Sequence, residues 1–251
     1  MSGRRLDFEA MSENETIEET SAEADDAAAD TEAGAERELT PEEQERLEEI
    51  RTRRREALSQ VRTFGDPVLK SRASEVTEFG PHLDEEAERM FALMHDALGI
   101  GLAATQLGSM RRMLVFQAGP DAEPRAIVNP EIEWLSDDLV TAEEGCLSLP
   151  GITVDVERPL HARVSAHDTA GERILLEASG LEARVLQHEI DHLDGVLILD
   201  RTPRDQRRGA MRALRNDESF SPEMLEPGYG EDAEGEAGSD ADRGDDAGDE
   251  R

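Results

Sequence analysis

The sequence predicts an α+β domain. Small antiparallel or mixed sheets pack around a central helix carrying His188-Glu-Ile-Asp-His192, with a C-terminal helix beyond it and disordered acidic segments at both ends. Two observations predict this. Short apolar runs of strand length cluster between residues 113 and 176 instead of alternating with helical stretches, which favours α+β over a parallel α/β sheet. The stretches flanking that cluster repeat their apolar residues at three- and four-residue intervals, the period of a helix.

The elements follow in chain order. Thr40-Pro-Glu-Glu43 opens the first helix: Thr40 is a capping residue, Pro41 suits the first helical position and Glu43 stands at capping-box spacing. Leu47, Ile50, Leu58 and Val61 then trace a thin apolar stripe. That stripe is compatible with packing on the domain edge or with a charged helical linker over residues 40–60. Asp66-Pro-Val-Leu69 is a turn entering an extended piece. A second helix runs from Leu83 to Leu98, with Ala87, Met90, Phe91 and Met94 at helical spacing and Gly99 where a C-terminal glycine belongs. The expected strands are Met113 to Phe116, Ala126 to Asn129, Thr153 to Val156, Ala162 to Ala166 and Arg173 to Leu176. The central helix starts near Gly180-Leu181 and stops at Gly195, with Leu186, Ile190 and Leu193 packed in a core on the side away from its histidines. A last helix covers Pro203 to Arg215, and the folded catalytic body is expected over residues 61–216.

The charge is distributed unevenly. Of a formal net charge of −33, residues 1–50 hold −14 and residues 217–251 hold −12, leaving −7 for the body. A salt-adapted protein would spread its acid over the folded surface instead. The two ends are Glu, Asp, Ala, Ser, Thr and Gly with almost no branched apolar or aromatic side chains, too little to offset the entropy of ordering, so tails are expected at 1–39 and 217–251. No stretch approaches the ~20 apolar residues that span a bilayer. No apolar run follows Arg4-Arg5, so no secretory signal is expected. A single cysteine excludes a disulfide framework and fits a reducing, cytoplasmic setting.

Three segments carry chemistry. In Gly99-Ile-Gly-Leu-Ala-Ala-Thr-Gln106 the third glycine of a dinucleotide fingerprint is replaced by Ala104, and the segment follows a helix, not a strand. Its glycines better serve close approach of backbone to a peptide-like ligand, and Gln106 offers an amide donor. Glu144-Gly-Cys-Leu-Ser148 contains the lone cysteine. Three roles stand open for Cys146: a small apolar side chain, a nucleophile with a histidine base, or a metal ligand. In His188-Glu-Ile-Asp-His192 the two histidines lie roughly 40° apart around a helix and can meet one ion, while Glu189 falls on the flank. Cys146, His188 and His192 together make a three-ligand set. A structural metal site would be expected to use four, so this set points to catalysis.

With these segments in place the sequence resembles the peptide deformylases. That family is marked by G-x-G-x-A-A-x-Q, E-G-C-L-S and H-E-x-D-H, and every specified position is matched. The resemblance spans residues 60–216, in the compact bacterial form with a C-terminal helix. It implies a hydrolase that removes the N-formyl group from the formylmethionine of newly made proteins and releases formate. It also implies Cys146, His188 and His192 as metal ligands, Glu189 as the acid–base residue, and Gln106 with the Leu147 backbone N–H as donors to the oxyanion. Ile100, Gly101 and Gly145 correspond to cleft-lining positions, and Glu144 pairs with Arg158 to steady the cysteine loop. Asp191 is expected to orient these groups or to anchor its helix, while His82, His95, His161 and His167 stay outside the site. Iron(II) is implied as the native ion. Thiolate plus two imidazoles equally suits zinc, nickel or cobalt.

The expected chemistry is a water attack on the formyl carbon. Glu189 takes the proton and returns it to the departing amine, and donors meet the charge on the formyl oxygen. The partners implied are formyl-methionyl nascent peptides and the ribosome, through Arg201, Arg204, Arg207, Arg208, Arg212 and Arg215 around the last helix. The acidic tail beyond that helix works against phosphate binding. Two other functions compete. A zinc protease shares H-E-x-x-H but does not normally take a thiolate as third ligand. A non-enzymatic ribosome-associated protein has no need of Glu189, Gln106 and Cys146 together.

Overall fold

Met113–Phe116 is an unbroken apolar run, and the fold buries both of its faces. The computed structural model describes residues 39–225, so most of the two expected acidic tails lies outside the described residues. Five strands form one antiparallel sheet in the order β1-β2-β3-β6-β7: Gly101–Ala103, Met113–Phe116, Arg125–Leu135, His161–His167 and Arg173–Ser179. The remaining two, β4 (Leu139–Gly145) and β5 (Thr153–Pro159), form a separate antiparallel hairpin. The helices are α1 (Pro41–Leu58), α2 (Pro81–Asp96), α3 (Leu181–Leu193) and α4 (Arg204–Asn216). The α+β class holds, and every pairing between these strands is antiparallel.

Alternation along β2 explains its double burial. Leu114 and Phe116 face one core with Leu186, Ile190 and Leu193 of α3, while Met113 and Val115 face another with Leu83, Met90 and Met94 of α2. Helix α3 is thereby fixed on the sheet by the apolar side expected to pack. A third core joins Val154 and Val156 of the hairpin to Ala210 and Ala213 of α4. Among the described residues no helix is long and apolar enough to cross a membrane.

Several expectations are refined. The turn at Asp66-Pro-Val-Leu69 is a 3-10 turn, Pro67–Lys70, and it opens as expected into extended chain at Ser71, with Ser74 bridging Arg111 beyond it. The Asp66 side chain accepts a hydrogen bond from the Val68 N–H at 3.0 Å, and Pro67 sits at the first helical position. Helix α2 ends at Asp96, and the left-handed residue behind it is Leu98, at φ 60°, where Gly99 was expected to act. The Gly99 N–H closes that turn by donating to Met94 C=O at 2.8 Å. Strands β1 and β4 were not anticipated, and β3 extends six residues past Asn129 to Leu135.

The body also exceeds its expected limits of 61–216. Ala57 and Leu58, at the end of α1, pack with α2 in one core, while Leu47 stays exposed. Phe220, 6% exposed, enters the hairpin core beside Gly209, and its strand-like bridge to Ile152 ties residues beyond α4 to the domain. The acidic composition of 217–251 hides this one aromatic anchor.

Candidate active site

Three pieces of chain meet at one end of α3. The loop after β4 supplies Cys146, α3 supplies His188, Glu189 and His192, and the 3-10 turn Ala104–Leu107 after β1 supplies Gln106. One ligand atom each from Cys146, His188 and His192 lies within 4.8 Å of the others. Cys146 Sγ stands 3.2 Å from His192 Nε2. His188 turns its Nδ1 to Glu144 Oε2 at 2.9 Å, leaving Nε2 for the site. A carboxylate behind an imidazole is the usual way to fix a metal-binding ring. The donor set and its convergence fit a divalent ion of borderline softness.

The protonation state of His192 agrees with that use. Burial holds His192 well below the ordinary histidine range, so its ring is neutral and keeps a lone pair. Burial would also lower His188, but the hydrogen bonds its ring donates to Cys146 and Glu144 outweigh it and raise the ring to about 10. An ion binding here must displace that proton. Burial pushes Glu189 up to about 7, against the lowering charges of His188 and Arg158. Glu189 is 4% exposed, and its Oε2 is one of the buried polar atoms with no hydrogen-bond partner.

Gly101 has a more specific duty than lining the cleft. A Cβ at this position would overlap the Glu189 carboxylate, so the bare α-carbon is what lets Glu189 stand there. Gly101→Ala is therefore expected to displace Glu189 and lower turnover about 10²-fold, the cost typical of a 1 Å misplacement. The catalytic rate at full metal occupancy measures it; an unchanged rate would show that the carboxylate has room elsewhere.

Gln106 is held by its own turn. Its Oε1 accepts from the Ala103 N–H at 2.9 Å, which aims the amide group at Ser148 Oγ, 3.3 Å away, and Cys146 Sγ, 3.8 Å away. Among the described residues the Leu147 N–H makes no hydrogen bond, so it is available to a ligand. Ile100, Gly101 and Gly145 all lie on one cleft of about 630 Å³ that also contains Cys146, His188 and Glu189.

Behind the ligands is a buried ionic network. Arg158 donates to both Glu144 oxygens, at 2.6 and 2.9 Å, and to Asp191 Oδ2 at 2.9 Å. Burial alone would raise Glu144, but bonds from His188 and Arg158 prevail and hold it at about 2. Asp191 is thus part of the network that orients His188. Sequence reasoning missed three members. Arg184 donates to Glu144 Oε1 at 2.6 Å and to the Val156 and Val140 carbonyls. Arg201 pairs with Asp191, and Thr105 donates to the His192 carbonyl at 3.2 Å. Arg184 lies four residues before His188, on the same helix face, and that spacing was the available signal. The four remaining histidines lie outside the site; His95, for example, contacts Gln117.

Known proteins match this chain closely. A family model described as polypeptide deformylase matches residues 58–208. Peptide deformylase 1 of Corynebacterium glutamicum is 44% identical over 161 residues, which is 63% of this chain and 95% of that protein. Peptide deformylase of Thermotoga maritima is 47% identical over 141 residues, or 56% of this chain and 85% of that protein. Its crystal structure superposes with a TM-score of 0.55, covering 57% of this chain and 96% of that one. Peptide deformylase 1B of Arabidopsis thaliana, bound to an inhibitor, superposes with a TM-score of 0.60 at 36% identity, covering 63% and 91%.

Proposed function

The chain belongs to the polypeptide deformylase family, and from that premise we propose that Cys146, His188 and His192 hold one divalent ion beside the acid–base residue Glu189. The enzyme removes the N-formyl group from the N-terminal formylmethionine of newly made proteins and releases formate. The observation that carries the site assignment is the convergence of three ligand atoms next to a buried carboxylate with a free oxygen. A divalent ion bound there supplies Lewis acidity toward the formyl oxygen and lowers the pKa of water to about 7.

The chain's own groups do the rest. Glu189, raised to about 7, is matched to accepting a proton from the attacking water near neutral pH. The new C–O bond places negative charge on the formyl oxygen, where the Gln106 amide and the Leu147 N–H donate to it. As the C–N bond breaks, Glu189 returns the proton to the amine, and the carboxylate ends as it began. Ile100, Gly101 and Gly145 form the wall along which the peptide lies. Glu144 and Arg158 keep His188 in one orientation throughout.

The ion we propose as native is iron(II), and the cytoplasm is the proposed location, because the thiolate of Cys146 survives in reducing surroundings. The ribosome is the proposed docking partner. Arg204, Arg208, Arg212 and Arg215 form one exposed stripe on α4, while Gln206, Ala210 and Ala213 face inward. Arg201 and Arg207 are less available, being paired with Asp191 and Asp200.

One experiment tests the core of this. Protein purified without oxygen is assayed for bound metal and for formate release from a formyl-methionyl peptide. Stoichiometric metal and formate are expected, and Cys146→Ala should lose both. No formate from metal-loaded protein would sink the proposal.

A further inference from the structure

Helix α1 reaches the active-site cleft. Its last two turns contribute Arg54 and Leu58 to the same lining as Cys146, His188 and Glu189. The family match begins only at residue 58, so Arg54 belongs to a segment outside it. The helix is not loosely attached: Ala57 is buried and Leu58 packs with it against α2, so Arg54 is presented to the cleft from a fixed support. Arg54 and Leu58 lie four residues apart, on one face.

The cleft lining holds two arginines, and their situations differ. Arg184 is committed to Glu144 and to two backbone carbonyls. Among the described residues, Arg54 makes no hydrogen bond or ion pair; its neighbours on α1, Arg51 and Arg55, pair with Glu48 instead. Glu143, the exposed acid on the cleft lining, makes no ion pair with Arg54 either. The same lining includes Leu98 and Ile100, both exposed and apolar.

We propose that Arg54 is a specificity-determining residue that favours peptides with an acidic side chain downstream of the formylmethionine. This rests on the deformylase activity and adds to it a preference beyond the first residue. A guanidinium offers a fork of donors matched to a carboxylate, and a free one at the edge of a binding cleft gains a partner when such a peptide arrives. The contact lies away from the reacting bond and stays partly in water, so it changes binding, not chemistry.

The test uses the full-length, metal-loaded protein and C-terminally amidated formyl-methionyl peptides, so that no terminal carboxylate is present. Glutamate and its isostere glutamine are compared at the second, third and fourth residues. At one of these positions the unmodified protein should prefer glutamate in kcat/KM. Arg54→Gln should reduce that preference about three-fold through KM, the size expected of an exposed ion pair. Arg54→Lys should retain part of it, and Arg54→Glu should reverse it toward a lysine peptide. An unchanged glutamate-to-glutamine ratio at all three positions in Arg54→Gln would overturn the proposal. So would a loss affecting both peptides equally, which is what mere damage to α1 would cause. No formate from any peptide with unmodified protein would overturn the deformylase reading and this proposal with it.

Discussion

Glu189→Ala is expected to bind metal normally and to turn over about 10³- to 10⁴-fold more slowly, the upper range for loss of a positioned acid–base group. The three ligand atoms come from Cys146, His188 and His192, so removing the Glu189 side chain takes nothing from the donor set. What it removes is the one carboxylate in the cleft that is buried, unpaired at Oε2 and raised to about 7. Glu144, the other buried acid on the cleft lining, is held at about 2 by His188 and Arg158 and has no capacity to carry a proton near neutrality. It cannot substitute. Metal content, melting temperature and formate release separate the outcomes. A variant within ten-fold of wild-type turnover would remove Glu189 from the proton pathway.

The second large effect lies one layer behind the ligands. Arg158→Leu should destabilise the fold by about 3–5 kcal/mol, the usual cost of breaking a buried pair and stranding its charge. Arg158 is 3% exposed and serves Glu144 and Asp191 at once. Its loss leaves Glu144 with Arg184 and His188, and Asp191 with Arg201 alone, as partners for two buried carboxylates. Metal affinity should fall with stability, by about 10–100-fold, because Glu144 orients His188. Denaturant unfolding and metal titration read the two quantities independently. Adding Glu144→Gln to Arg158→Leu should recover part of the stability and none of the affinity. A single variant as stable as wild type would show that Arg184 and Arg201 suffice.

The site was more legible in the sequence than the fold around it. The proposed site residues Cys146, His188, Glu189 and His192 are conspicuous because few residue types can hold a metal or move a proton, and the last three also share a helical spacing. Gln106 and Glu144 were reachable from their motifs. Arg201 was not, because what gives it meaning is an ion pair with Asp191 that only the folded chain creates. Strand β1 is three residues containing a glycine, too short for any periodicity. Strand β4 is largely exposed and reads as polar, since its pairing is with β5 alone. Leu98 occupies a left-handed position that composition assigns to glycine. Exposed to 65%, it has no packing reason to be there, and nothing else in the structure explains it.

The contact between Cys146 and His192 also has a temporal meaning. The two residues are 46 positions apart in sequence, and Gln106 precedes the cysteine by another 40. Each such closure carries an entropic cost that local contacts do not, and long-range pairings form late. The proposed ligand set is incomplete until α3, near the end of the body, has emerged and docked on the sheet. An enzyme that works on unfinished chains is therefore inert while it is itself unfinished, and it acquires its chemistry only when nearly all of its own body has been made.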